Sequence, residues 1–309
     1  MVPRYIRIFY LLCFMFLFSP ENSGFAGILK IPDENALINC FFKNLYNFSF
    51  NAADSMVVVM NNSNIDNVTI SNIKANLAWW KLLSGDKIET NLKICNFNID
   101  ESIRLGLKIN HPDINSLLNI IYSYSLKARL ENYRGNTLKS FFYFYKSITY
   151  IKKCIDTPVE DERLNLVLGL YYYFTDYIEN EYYIMHALFF SITEGNKNKG
   201  LRYLEDCSTS TNEMIRTEAN YFLLKIYANT EKDYSKAYAN ALILTQQHPN
   251  NLVYSLEQFK LLLKMKQSGE AQIFQQKLIE EIQTAGNINN IQKKHFISQI
   301  GELTKATIK

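Results

Sequence analysis

From Pro32 to Ile308 the apolar residues of this chain recur every three to four positions, and no stretch alternates with period two for long enough to be a convincing strand. That pattern admits helices packed on helices and little else. Leu37, Cys40, Phe41, Leu45 and Phe48 form one such stripe; Leu164, Val167, Leu168, Tyr171 and Tyr172 form another. Val57-Val58-Val59 and residues 67–73 are the only local candidates for strands. Composition supports the helical reading. Of 309 residues only 11 are Gly and 6 are Pro, too few for the tight turns of an all-β fold or for long disordered stretches. A hydrophobic content of 48% is enough for a continuous core, and 20% charged residues are too many for a multi-spanning membrane protein.

The helices are punctuated by polar or turn-forming clusters: 61–67, Ser84-Gly85-Asp86, His111-Pro112, Gly135, Asp156-Thr157-Pro158, Glu194-Gly195-Asn196 and His248-Pro249. Between them the pattern predicts helices over 73–83, 99–109, 114–132, 137–155, 163–178, 182–192 and 199–207. Asp113 is placed to cap the third of these.

Residues 1–26 read as a secretory signal peptide. Arg4 and Arg7 supply the positive start, Ile8 to Phe18 is an unbroken apolar run, and Gly24-Phe25-Ala26 places small residues at the cleavage positions. The run is well short of the roughly 20 residues a bilayer span needs. The expected mature chain, from Gly27, therefore has no stable membrane span and works outside the cytoplasm, in the periplasm or secreted. Four cysteines would remain: Cys40, Cys95, Cys154 and Cys207. An oxidising compartment permits two disulfides, and buried small hydrophobes on helices are the alternative.

The second half carries a repeat. Asp233-Tyr234-Ser235-Lys236-Ala237 opens one helix and Ser268-Gly269-Glu270-Ala271 opens another, so Ala237 and Ala271 stand 34 positions apart. Tyr234, Ala237 and Pro249, with Ala219, Leu223 and Tyr227 in the preceding helix, resemble the tetratricopeptide repeat family. Leu166 to Tyr172, with Gly169 at the small position, looks like an earlier first helix. The resemblance is good over about residues 215–285; Leu224 and Gln283 depart from the family pattern. It implies an all-α fold, a right-handed solenoid of antiparallel helix pairs. Residues 27–112 would be degenerate N-terminal helices, 113–285 the repeat core and 286–309 a capping helix. One such pair cannot bury its apolar face alone, so neighbours must stack on it.

Motifs for chemistry are missing from the sequence. His111, His186, His248 and His295 have no second ligand at metal spacing. No nucleophile elbow, zinc-protease helix or dinucleotide loop occurs. Gly195 and Gly200 have phosphate-loop spacing, but Leu201-Arg202 replaces the required Lys-Ser/Thr. The formal charge of +3, which falls to +2 once Arg4, Arg7 and Glu21 leave with the leader, gives no basic stripe for nucleic acid. The reading is a non-catalytic scaffold without cofactor or metal, binding a protein or peptide. A structural accessory subunit of an envelope assembly or transport complex is the rival. In the resembling family the first helix of each pair lines a groove. Here that implies Glu218, Tyr221 and Lys225 as one partner-binding stripe, and Arg163 and Tyr173 in the earlier unit.

Overall fold

The computed structural model describes residues 34–155, 160–181 and 195–307. These form thirteen α-helices and no strand. They are α1 (Glu34–Tyr46), α2 (Phe50–Asn61), α3 (Asn67–Leu83), α4 (Ile88–Gly106), α5 (Ile114–Tyr133), α6 (Thr137–Ile151) and α7 (Glu162–Glu181), followed by α8 (Lys197–Cys207), α9 (Glu213–Asn229), α10 (Tyr234–Gln247), α11 (Leu252–Lys264), α12 (Ser268–Thr284) and α13 (Asn290–Thr307). The leader, the helix expected over 182–192 and His186 lie outside the described residues.

Consecutive helices pack in pairs: α1 with α2, α3 with α4, and so on to α11 with α12, where α13 follows. The abundant Asn and Asp residues define where helices begin. Asp66, Asp113, Asn196, Asn212, Asp233 and Asn251 each accept a hydrogen bond from a backbone N–H in the first turn of the helix they precede. Each such cap contributes about 1 kcal/mol. Gly85 and Gly135, with φ of +80° and +79°, reverse the chain after α3 and α5.

The pairing depends on small residues where helices meet. Ala237 and Ala271, 34 positions apart, are both buried, in α10 and α12. Gly200 in α8 faces Gly169 in α7 so closely that a Cβ on Gly200 would lie 2.5 Å from the Tyr173 nitrogen and 2.7 Å from the Gly169 oxygen. This contact explains why glycine stands at Gly200.

Helix α5 is the buried spine, covered along nearly its whole length from Leu117 to Asn132. A ladder of small polar groups pins it to the preceding pair. The Ser102 and Ser123 hydroxyls meet at 2.7 Å, Ser123 donates to Asn72 Oδ1 at 2.9 Å, and Asn72 donates to the Asn119 carbonyl at 3.3 Å.

The array closes on itself. Helix α1 packs on α3 and also on α9. Asn39 accepts from the Glu213 N–H at 2.6 Å, and Asn251 donates to the Tyr46 carbonyl at 2.7 Å. Helix α13 is more than an outer cap. Its Gln292 donates to Ser84 Oγ at 2.7 Å, Asn289 just before it donates to Asp86 at 2.9 Å, and Phe296 lies 6.2 Å from Phe48. Helix α1 is thus covered by α9 and α11, and α13 by the turns after α1 and α3.

The two segments with the most strand-like composition are helical, the first inside α2 and the second at the start of α3, as an all-α fold requires. One sequence expectation needs correction. Helix α4 begins at Ile88, eleven residues before the expected start at Ile99. Leu92, Cys95, Ile99 and Ile103 face the core at helical spacing, but Asn91, Asn98 and Ser102 are buried beside them while Ile94 and Phe97 are exposed, which blurs the stripe in its first half.

Gly200→Ala should lower the melting temperature, because the added methyl meets backbone atoms and overpacking costs about 1–3 kcal/mol. Gly301→Ala, in α13 with nothing near its would-be Cβ, should instead add about 0.5–1 kcal/mol. Thermal melts of the two variants check both; equal effects would contradict the close α7–α8 contact.

Candidate functional site

The stripe expected to meet a partner lies on α9, and α1 covers its first residue. The Tyr46 hydroxyl, fully buried, donates to Glu218 Oε1 at 2.9 Å, and Glu218 is only 6% exposed. Glu218 Oε2 has no hydrogen-bond partner among the described residues. Burial pushes the Glu218 carboxyl above the usual carboxylate range, against the opposing pull of the Arg129 guanidinium and the Tyr46 hydrogen bond.

Aromatic rings enclose this pair. The Tyr46 ring stands edge-on to Trp80 at 5.4 Å and lies 5.6 Å from His248. Tyr254 sits 5.7 Å from Trp80 and 5.9 Å from His248. His248 Nε2 pairs with the Thr217 hydroxyl at 2.9 Å, while its Nδ1 is buried without a partner among the described residues. Desolvation lowers the His248 imidazole to about 4, so the ring is neutral near pH 7. Helices α1, α3, α9 and α11, with the end of α10, therefore converge on one buried polar and aromatic cluster.

The outer part of the stripe forms the rim of that cluster. Tyr221 and Lys225 are both partly exposed. Tyr221 lies 5.8 Å from Tyr254, and the Lys225 ammonium stands 5.6 Å over the Tyr221 ring. Lys225 and Lys260 grip Glu257 from two sides at 2.9 and 2.7 Å. Although burial opposes it, these two lysines hold the Glu257 carboxyl well below its usual range. Glu257, Lys260 and the Tyr46 contact are features that sequence periodicity gave no means of finding.

The two residues of the earlier unit take structural positions. Arg163 is buried and binds Asp161, and the same guanidinium nitrogen also donates to Asn115 at the start of α5 at 2.5 Å. Tyr173 is fully buried and donates to Glu231 in the α9–α10 turn, where Lys197 also binds at 2.5 Å. Arg163, Tyr173 and Glu218 thus tie the fold together, and only Tyr221 and Lys225 of the expected stripe reach solvent.

Among the described residues, His111 is exposed in a turn, and His295 packs its ring against Gly85. Among the described residues, no group of three or more His, Cys, Asp or Glu side chains is arranged to hold a metal ion. The four described cysteines, Cys40, Cys95, Cys154 and Cys207, are free. Burial raises the Cys95 and Cys207 thiols to about 12 and Cys154 to about 11, so none of these three is a ready thiolate. A cleft of about 450 Å³ opens between the starts of α1, α3 and α5, but its Asp66 and Asp113 are engaged as helix caps. Among the described residues no helix is long and apolar enough to cross a membrane.

The buried pair predicts an opposing pH response. Glu218, raised in the folded state, contributes stability below its unfolded value near 4.5 that is lost as pH rises. His248, lowered from 6.5 to about 4, contributes stability above 6.5 that is lost as pH falls toward 4. Across melts from about pH 4 to 8, Glu218→Gln should gain on the parent as pH rises, and His248→Gln should gain as pH falls. Parallel curves would contradict the burial of both groups.

Comparison with protein-family models, with curated proteins and with solved structures finds no match for this chain.

Proposed function

We propose that the chain is a non-catalytic scaffold of the tetratricopeptide type that binds an extended polar peptide, or a protein segment, along the rim formed by α9 and α11. The observation that carries this reading is the partly exposed Tyr221–Lys225 stripe beside Lys260, on the first helices of two successive pairs. Tyr221 offers a large ring with a polar tip, the residue type most enriched at recognition surfaces. Lys225 and Lys260 offer donors around a shared carboxylate. The buried Ala237 and Ala271 at the 34-residue spacing support the repeat assignment on which the register rests.

Peptides selected from a displayed library against the protein should lose at least about ten-fold in affinity to a Tyr221→Ala/Lys225→Glu variant, one decade being about 1.4 kcal/mol. Lys225→Glu also removes one of the two lysines that hold Glu257, so the double variant should melt lower; Tyr221→Ala alone leaves that pair intact and should keep the parent melt while still weakening the peptides. Selected peptides that bind both forms equally, or a failure to select any, would overturn the rim as the binding surface.

The same reading places the protein outside the cytoplasm, on the charge pattern, apolar run and small residues of its first 26 positions. N-terminal sequencing of protein recovered from its own cells should begin at Gly27. Recovery of intact protein starting at Met1 would contradict it.

A further inference from the structure

The largest exposed apolar side chain in the described residues by fraction is Leu138, 87% exposed, at the start of α6. One turn on, Phe142 is 52% exposed. Helix α6 already has a buried face: Phe144, Ile148 and Ile151 pack inward, and Ser140 donates to the Ala128 carbonyl of α5 at 2.7 Å. Leu138 and Phe142 therefore belong to a second, outward apolar stripe that the core does not need.

Charge is distributed around that stripe with one sign. From Asn136 to Ile155 there is no Asp or Glu, while Lys139, Lys146, Lys152 and Lys153 are present. Lys139 and Lys146 stand seven residues apart, close to two helical turns, so they lie nearly in line beside Leu138 and Phe142, and Lys152 and Lys153 follow in the turn after α6. Lys139 and Lys146 form no ion pair among the described residues; Lys146 instead stands 5.4 Å over the Phe142 ring. The carboxylates that act on Tyr143 of α6, Asp100 and Glu131, are engaged by Lys127 at 2.5 Å and by Arg134 at 3.0 Å.

We infer that the outer face of α6 docks on an anionic lipid surface, its lysine row against headgroups and Leu138 and Phe142 in the interfacial layer. The occupant follows from the chemistry. A single outward helix whose backbone hydrogen bonds are internal has no edge or cleft to hold a peptide. An unbalanced row of lysines calls for spread negative charge, and apolar residues between them call for a partner that is apolar just beneath that charge. A bilayer interface supplies both. Phosphate polymers supply the charge alone. The inference concerns a surface separate from the α9–α11 rim, so either can stand without the other.

The test uses the chain from Gly27 onward, so that the apolar run of the leader cannot itself insert. Co-sedimentation with vesicles of phosphatidylcholine containing about a quarter phosphatidylglycerol should retain the protein at low salt, whereas pure phosphatidylcholine vesicles should not. Retention should fall as salt rises. Leu138→Ser/Phe142→Ser should weaken it by at least about ten-fold with the lysines intact, and Lys139→Glu/Lys146→Glu should abolish it. All four positions are on the surface, and melting curves of the variants should match the parent. No partition into the anionic vesicles would overturn the inference, as would unchanged partition in either double variant. Equal binding to heparin by the parent and the Leu138→Ser/Phe142→Ser variant, without that loss on vesicles, would assign the lysines to a soluble polyanion instead.

Discussion

An array of helix pairs has two ends, and each presents an apolar face that has nothing to stack on. This chain covers its first helix with α3, α9 and α11, and sets its last helix against the turns after α1 and α3. Phe41, Phe42, Leu45, Tyr46 and Phe48, from α1 and the turn after it, are essentially without solvent contact, and Phe296 and Ile300 of α13 are the same. Burying a side chain of this size contributes about 1.5–3 kcal/mol, so the closure is worth far more than any polar contact that accompanies it. Phe48 takes a left-handed backbone, φ +57°, which a bulky residue adopts only when its surroundings fix it. Here Phe50, Trp80 and Phe296 fix it from three sides.

Closure decides what the inner face can be. The hydroxyl of Tyr46 reaches a carboxylate on α9, and the same ring meets Trp80 and His248, so a segment 172 residues away in sequence occupies part of the face where a partner was expected. Polar atoms left unmatched there, on Trp80, Glu218 and His248, are costly in a dry interior. The apolar burial around them outweighs that cost. Their polarity specifies which helix belongs in the position, since an apolar surface alone would accept α1 in several registers.

Much of the helical order was legible because its punctuation is local. Asp113, Asp233 and Gly135 mark helix ends by chemistry that acts within one turn, and the structure places caps or reversals at each. Ala237 and Ala271 were legible as packing positions because small residues recur at a fixed interval. Helix α4 was half hidden because polar Asn91, Asn98 and Ser102 share its buried face with Cys95 and Ile99, while Ile94 and Phe97 are exposed, which blurs the apolar stripe. Glu218 was legible as a member of an inner stripe, but its burial was not: that depends on α1, and no local pattern connects Tyr46 to it. Tyr173 and Arg163 illustrate the same limit. Both were read as facing a partner, yet both are buried, and Glu231 and Asp161 claim their polar ends.

The two surfaces that remain differ in how available their charges are. At the α9–α11 rim Lys225 and Lys260 already share Glu257, so the peptide proposed to bind there would have to compete with a short, largely buried ion pair, and selectivity would come from replacing that carboxylate in the same geometry. On α6, Lys139 and Lys146 have no carboxylate to give up, and their field extends into solvent to about one Debye length, roughly 8–10 Å at ordinary ionic strength. Long-range attraction therefore favours the outer face, while specific recognition favours the rim. Salt should consequently weaken contact at α6 first, because an exposed charge row is screened where a buried pair is not.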